Sequence, residues 1–572
     1  MTVKKKTSGP ENNMGKISEV FCRKTPPFDN LGDIFCRLRA VLVYPNTYWV
    51  GMSNLGFQIV YDLMNSIGGL VCERAFLPER GDLRQIRTAE SGSLLSEFDI
   101  IAFSISFEND YPNLLTIFDN AKLVPLSRDR GDDHPLVLAG GVACFLNPEP
   151  LAHFADCFLI GEAEELLPRF FEVLSETDWA RTRVARKACL KKLAQNVPGV
   201  YVPEFYRNTF YKDGTLSGTE PLCDVPSEIR RVFVRDLSHV PSCSSILTSD
   251  TTFARTFLIE VGRGCARGCR FCSAGYVYRP LRFRPVSLLE QCMRQGLAFT
   301  DKIGLMGAAV SDFPGLSELC DNFLQRRAER DISISFSSLR ADALALNPDL
   351  IPVLRHGRVK TATIAPEAGS ERMRGVIRKG ISEHNILRAA DMLVSGGIPN
   401  LRLYFMIGLP TETDEDIEAI VSLCKKIKSV FLASSRKKGR IGGITVSVNP
   451  FVPKPFTPFQ WAGMDDVRVL RKKIRHIRNG LGRVPNIRVR AENPRGAWLQ
   501  ALFSRGDRRV GDILLAGHRN KGNWAGTLGE SPLDIDYHVC RERSFDEPLP
   551  WEIIDNGTPG AFLEQECRKG MN

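Results

Sequence analysis

The chain has 572 residues, a net formal charge of +10, 43% hydrophobic and 25% charged residues, the balance of an ordinary soluble protein of roughly three or four domains. That balance excludes disordered, collagen-like and coiled-coil chains, and the absence of any run of ~18 uncharged apolar residues argues against a membrane span. Lys4, Lys5 and Lys6 are not followed by an apolar stretch, so no secretory signal is expected.

In chain order, residues 1 to 34 read as a flexible polar arm. Four short apolar runs follow, at 39–44, 99–105, 135–139 and 156–160. Helical patterns lie between them at 55–67, 112–122 and 164–175. Apolar strands alternating with amphipathic helices predict a parallel sheet covered on both faces, a doubly wound α/β domain over 35–200. Residues 201–250 read as a connector of short β pieces and turns. The alternation restarts at 256–261, and further strands are predicted at 302–305, 332–336, 361–364, 400–406 and 443–448. Helices are predicted between them at 287–298, 315–328, 350–356, 370–378, 384–396 and 414–428. Six βα units form a (β/α)6 partial TIM barrel over 251–462, with its site at the carboxyl ends of the strands. A small α+β region, 463–572, ends the chain as helix, basic strand and a helix around Trp498–Phe503.

Sixteen cysteines in a chain without an export pattern imply a reducing, cytoplasmic compartment. Scattered thiols such as Cys72, Cys157, Cys189 and Cys424 read as small buried hydrophobes. Cys265, Cys269 and Cys272 differ, because they crowd into the loop after the first barrel strand, Gly262-Arg-Gly-Cys-Ala-Arg-Gly-Cys-Arg-Phe-Cys272. Closed zinc sites use four ligands, and no second pair follows here, with Cys292 alone on a predicted helix. Three thiolates suit a 4Fe-4S cluster that keeps one iron open.

Cys265-x-x-x-Cys269-x-x-Cys272, with Phe271 before the last cysteine, resembles the signature of the radical S-adenosylmethionine (SAM) superfamily. The resemblance implies that these cysteines ligate a 4Fe-4S cluster whose open iron chelates SAM. An electron from the cluster then cleaves the sulfonium, and the 5′-deoxyadenosyl radical abstracts a substrate hydrogen. It implies SAM and an electron donor of flavodoxin or ferredoxin type as partners, with Phe271 near the adenine. Ala365-Pro-Glu367-Ala-Gly-Ser-Glu-Arg372, running on to Arg378-Lys-Gly380, resembles the fourth-strand region, where Glu367 would bind the SAM ribose and Arg378 its carboxylate. Both residues equally suit plain helix-end roles, an acid at an N-terminus and a cation in a last turn. Ile407-Gly408-Leu-Pro-Thr-Glu-Thr413 resembles the turn lining the adenine, and Val452–Phe459 the loop that closes such barrels. The Gly-Gly-Glu motif that holds the SAM amino group in many members is replaced by Met306-Gly-Ala-Ala309, leaving a backbone carbonyl, Ser311 or Asp312 as acceptor. No catalytic side chain can be assigned.

Ala139-Gly140-Gly141 and Gly161-Glu162 resemble strand ends of the cobalamin-binding-like domain that precedes many radical SAM barrels. Over 35–460 the layout resembles an uncharacterised subgroup carrying that domain. Asp-x-His-x-x-Gly, the mark of lower-axial histidine ligation, is absent: Asp132-Asp133-His134 is followed by Pro-Leu-Val. Cobalamin is therefore expected only without histidine ligation, and a vestigial domain is the other reading. Arg468, Arg471, Lys472, Lys473, Arg475, Arg478, Arg483, Arg488, Arg490 and Arg495 crowd the tail and read as a solvated face. Two alternatives follow: a radical methyl- or methylthio-transferase that docks RNA on that tail, and a non-catalytic zinc-binding scaffold.

Overall fold

A computed structural model describes residues 18–22, 38–79, 84–182, 184–326, 332–337, 339–346, 350–437, 439 and 441–571. The arm predicted over 1–34 otherwise lies outside these residues, but Glu19–Phe21 pairs antiparallel with Ile246–Thr248. That stretch is a strand fixed on the connector, with Cys22 buried beside it, because its backbone groups complete an edge that would otherwise stay unpaired. No described helix is long and apolar enough to cross a membrane.

The first sheet has six strands: β1 (Leu38–Tyr44), β2 (Leu70–Phe76), β3 (Ile100–Ser104), β4 (Leu136–Gly140), β5 (Cys157–Leu159) and β6 (Val200–Tyr201), in the order β2-β1-β3-β4-β5-β6. All pairings are parallel except that of β6 with β5. Val41, Val43, Ile101 and Leu136 are fully buried, as a sheet covered on both faces requires. Sequence patterning misses β2, whose Glu73 and Arg74 break its apolar run. Both are buried: Arg74 pairs with Glu19 at 2.9 Å and Glu90 at 2.6 Å, and Glu73 accepts from the Ser91 hydroxyl at 2.6 Å with Arg39 at 3.9 Å. The order reverses at β1, and ligands of open α/β sheets bind outside the carboxyl ends at such a reversal.

The second layer is built from β7 (Phe257–Glu260), β8 (Lys302–Met306), β9 (Ser333–Phe336), β10 (Thr361–Glu367), β11 (Asn400–Ile407), β12 (Ile444–Pro450) and β13 (Ile487–Ala491). All are parallel, and they form two sheets, β7-β8-β9 and β10-β11-β12-β13, with no described pairing between β9 and β10. The barrel is therefore half-open, and it has a seventh strand. β13, the basic strand of the tail, adds beside β12, and helix Val467–Leu481 is its crossover. Leu470, Ile474, Ile477 and Leu481 bury one face of that helix, while Arg468, Arg471, Arg475 and Arg478 stay exposed. Lys473 is the exception, held inside by Glu412 and Asp465, each at 2.7 Å.

The C-terminal helices clamp the two layers together. Asn147, just past β4, donates to the carbonyls of Ser504 and Gly506 at 3.1 and 2.8 Å. Lys454, after β12, bonds Glu108 of the first layer at 2.5 Å, and Gln500 donates to the same carboxylate.

Candidate active site at the barrel mouth

The cysteine loop leaves β7 through Gly262–Arg263, which pair antiparallel with Arg282–Phe283 and close the loop at its base. Gly264 and Gly268 have φ of +90° and +65°; a Cβ on Gly264 would lie 2.6 Å from the Tyr278 carbonyl, so only glycine fits there. A turn joins Cys272 N–H to the Cys269 carbonyl at 3.1 Å, and Tyr276 donates its hydroxyl to the Gly268 carbonyl at 3.0 Å. Cys269 is buried, and Cys265 and Cys272 are half-buried. Phe271 is half-buried and packs on the core.

The three thiols share one electrostatic environment. Burial pushes the Cys272 thiol up to about 11, and the Cys269 and Cys265 sulfurs add to that rise. Burial also raises the Cys269 thiol, opposed by the charges of Lys379 and Arg340. Among the described residues no three His, Cys, Asp or Glu side chains converge as ligands of one metal ion. A cubane asks for something else: each thiolate takes its own iron, so the sulfurs stand apart around the cluster instead of meeting at a point. Three neighbouring thiols with cations beside them fit that requirement, since positive charge favours thiolate.

Sequence reasoning does not anticipate how closely the flanking charges are tied to this loop. Arg267, inside the cysteine motif, forks onto Asp312 at 2.6 and 2.7 Å and reaches Asp342 at 3.3 Å. Asp312, a predicted acceptor for the SAM amino group, is thus already paired, and the Ser311 hydroxyl accepts from Arg340 N–H at 3.3 Å. Glu367 and Arg378 both hold left-handed backbone, φ +66° and +52°, a conformation costly for residues with a Cβ and characteristic of functional sites. Glu367 pairs with Lys379 at 3.0 Å, and Arg378 with Glu566 at 3.0 Å. Glu566, on the C-terminal helix Gly560–Met571, also takes Arg270 of the cysteine loop at 3.3 Å. Arg267 and Lys379 sit within quoted motifs and were legible there; nothing in the sequence linked Glu566 to a loop almost 300 positions earlier. Gly408 ends β11 with φ +78°, donates to Glu412 at 2.7 Å, and leaves 2.9 Å between an added Cβ and Leu470. Its left-handed backbone is what favours glycine there, and an added Cβ would also press on Leu470 of the crossover helix.

A cleft of 470 Å3 separates the two layers. On one side lie the carboxyl ends of the first sheet, including Ala139, Gly141 and Gly161; on the other lie Gly264, Ala274 and Tyr278 of the cysteine loop. Gly141 and Gly161 have φ of +102° and +140°, and a Cβ on either would strike backbone at 2.4 and 2.2 Å. Arg263 spans the junction, bonding Glu162 at 2.9 Å, Glu164 at 2.5 Å and Glu260 at 3.0 Å. Among the described residues no histidine lines the cleft, and His134 precedes β4, at the opposite end of the sheet.

Residues 259–424 match the family described as Radical SAM superfamily, and residues 56–203 match Radical SAM proteins, N-terminal. An uncharacterized protein of Methanocaldococcus jannaschii is 31% identical over 476 residues, covering 83% of this chain and 90% of its own. The chain belongs to the radical SAM superfamily. It is an enzyme of the radical SAM class, whose members bind a 4Fe-4S cluster and SAM, as the cysteine motif led us to expect. Weaker similarity, 23% over 260 residues, links it to the tRNA-2-methylthio-N(6)-dimethylallyladenosine synthase of Chromohalobacter salexigens, across 42% of this chain and 53% of that one. Among solved structures, the cobalamin-dependent SAM radical enzyme OxsB aligns at 16% identity with a TM-score of 0.43, over 68% of this chain and 51% of its own. SuiB of Streptococcus suis bound to SAM aligns at 14% and 0.29, over 43% and 51%. This chain thus spans about half the length of these two solved proteins.

Proposed function

We propose that Cys265, Cys269 and Cys272 each hold one iron of the cluster, leaving the fourth to SAM, and that the cleft between the layers holds a corrin. The observation that carries this reading is that one cleft joins the carboxyl ends of the first sheet to the back of the cysteine loop. When bound, the cluster supplies the electron that breaks the SAM sulfonium, drawn from an external reductant of flavodoxin or ferredoxin type. The chain's own residues position and shield. Lys379 and Arg340 place positive charge beside the thiolates. Glu367 offers a carboxylate to ribose hydroxyls, Arg378 a half-exposed guanidinium to the SAM carboxylate, and Phe271 an apolar surface to the adenine. With Asp312 tied to Arg267 and Ser311 to Arg340, backbone carbonyls after β8 are left as acceptors for the SAM amino group. The small residues facing the cleft admit a bulky ring, and none of its described lining residues is a histidine that could offer the corrin an imidazole.

Hydroxocobalamin added to the reconstituted protein is expected to stay bound one-to-one through gel filtration. Val142→Trp, which fills the cleft from the first-sheet side, is expected to abolish that retention and keep the iron. Retention unchanged by Val142→Trp would overturn the corrin assignment and leave the cluster assignment standing.

The exposed arginines of helix Val467–Leu481, which starts beside the Gly408–Glu412 turn, favour a second reading, an RNA substrate. It predicts that tRNA binding falls steeply with salt and that Arg471→Gln/Arg478→Gln lowers the slope by about two. A flat salt dependence dismisses it. The non-catalytic zinc scaffold gives way to the family match, which makes the chain an enzyme of the radical SAM class.

A further inference from the structure

The inner face of the half-open barrel carries positive charge that no described residue neutralises. The pairing registers put Thr363, Arg402, Thr445 and Arg488 in one row across β10, β11, β12 and β13, and Tyr404, Ser447 and Arg490 in the next. Residues of the alternate set, such as Leu403, Phe405, Val446 and Val448, are fully buried under the helices outside the barrel. The arginine-bearing set therefore faces inward, where Arg402 is half-exposed and Arg488 and Arg490 are exposed. The guanidinium groups of all three make no hydrogen bond or ion pair among the described residues. Arginines inside the fold are held differently: Arg74, Arg263, Arg267, Arg282 and Arg508 are each locked to a carboxylate. Charge on an edge strand commonly serves only to block pairing with another chain. That accounts for Arg488 and Arg490 on β13, but not for Arg402, whose strand has a neighbour on either side.

Resting on the radical SAM reading above, we infer that this inner face binds the anionic end of the substrate, a small molecule bearing phosphate or carboxylate groups. Adjacent strands lie about 4.8 Å apart and residues two apart along a strand about 6.6 Å. The Cα atoms of Arg402 and Arg488, two strands apart, are then roughly 10 Å from each other, so both guanidinium forks reach one anionic group between them. The hydroxyls of Thr445, Ser447 and Tyr404 lie in the same two rows and supply further donors. The next row, Met406 and Asn449, leads to the strand carboxyl ends and the cysteine loop. A substrate anchored by its anion on the arginine rows would thus present its other end to the cluster, and hydrogen abstraction would be aimed by charge at a distance from the anchor.

The test is calorimetric titration of the full-length, iron-reconstituted protein with pyrophosphate and, separately, with tricarballylate. One saturable site per chain is expected for at least one probe, the tighter of the two identifying the anion. Arg402→Gln and Arg488→Gln are each expected to weaken it at least about tenfold, and Arg471→Gln/Arg478→Gln on the outer helix to leave it unchanged. Absence of saturable binding of either probe, or binding lost only in the outer-helix variant, overturns the inference. Because the readout needs no turnover, failure here is separable from failure of the radical SAM reading, which iron content and SAM cleavage report.

Discussion

Cys269→Ala is expected to yield a folded protein that lacks its cluster and releases no 5′-deoxyadenosine from SAM above the level of iron-free protein. Cys269 is buried on the turn it makes with Cys272, and removing one sulfur costs only about 1 kcal/mol of stability. An intact thermal transition should therefore accompany loss of the brown colour and most of the bound iron. The same experiment on Cys292→Ala, a buried cysteine on the helix after the loop, should leave iron and SAM cleavage intact. A Cys269→Ala protein that still bound iron and cleaved SAM would remove the ligand assignment for this residue, and with it the single open iron.

The second large effect concerns the junction between the layers. Glu162 is almost fully buried and accepts two bonds from Arg282, at 2.7 and 3.1 Å, one from Arg263 at 2.9 Å and one from Val234 N–H at 3.0 Å. Glu162→Gln keeps the shape and removes the charge. Arg263 still has Glu164 and Glu260, but Arg282, which pairs with no other acid among the described residues, is left buried without a counter-charge. Stranding one partner of such a pair costs about 3 kcal/mol, which should appear as an earlier transition in urea. The pH dependence follows from the same geometry. Burial pushes the Glu162 carboxyl up, but the Arg282 hydrogen bonds and the charges of Arg263 and Arg282 outweigh it and hold the group below the ordinary 4.5. A carboxylate whose folded value is depressed stabilises the protein above its unfolded value and loses that contribution as pH falls through the folded one. The stability gap between wild type and Glu162→Gln should thus be full at neutral pH and narrow below about pH 4.5. A gap that stayed constant into that range would show that charge is not what holds the junction.

Much of the layer order was legible because burial on both faces leaves continuous apolar runs. Leu136–Gly140 is such a strand, Asn400–Ile407 instead alternates buried and half-exposed residues, and the helices between barrel strands carry the spacing that packs against a sheet. The sequence reading failed where burial was achieved by pairing instead of apolarity. β2 was hidden by Glu73 and Arg74: Arg74 is cancelled by Glu19 and Glu90 on other segments, while Glu73 faces Arg39 of β1 and accepts from the Ser91 hydroxyl. β13 was taken for a basic tail strand because its arginines alternate, yet Ile487 and Val489 align with Ile444 and Val446 of β12 and extend the barrel by one strand. A period-2 pattern states that two faces differ; which face meets the core is set by the neighbouring strand.

The cysteine motif shows the same division at the site. Spacing alone put Cys265, Cys269 and Cys272 on one loop with glycines that permit its bends, since these are properties of a continuous stretch of chain, and the superfamily follows from them. Only the tertiary structure brought Glu566 to Arg270 and Arg378, set Asp312 on Arg267, opened the cleft between the two layers and turned Arg402, Arg488 and Arg490 to the same inner face. Those arrangements join residues from tens to hundreds of positions apart. Coulomb attraction and burial act through space, so no local pattern in the chain could encode them.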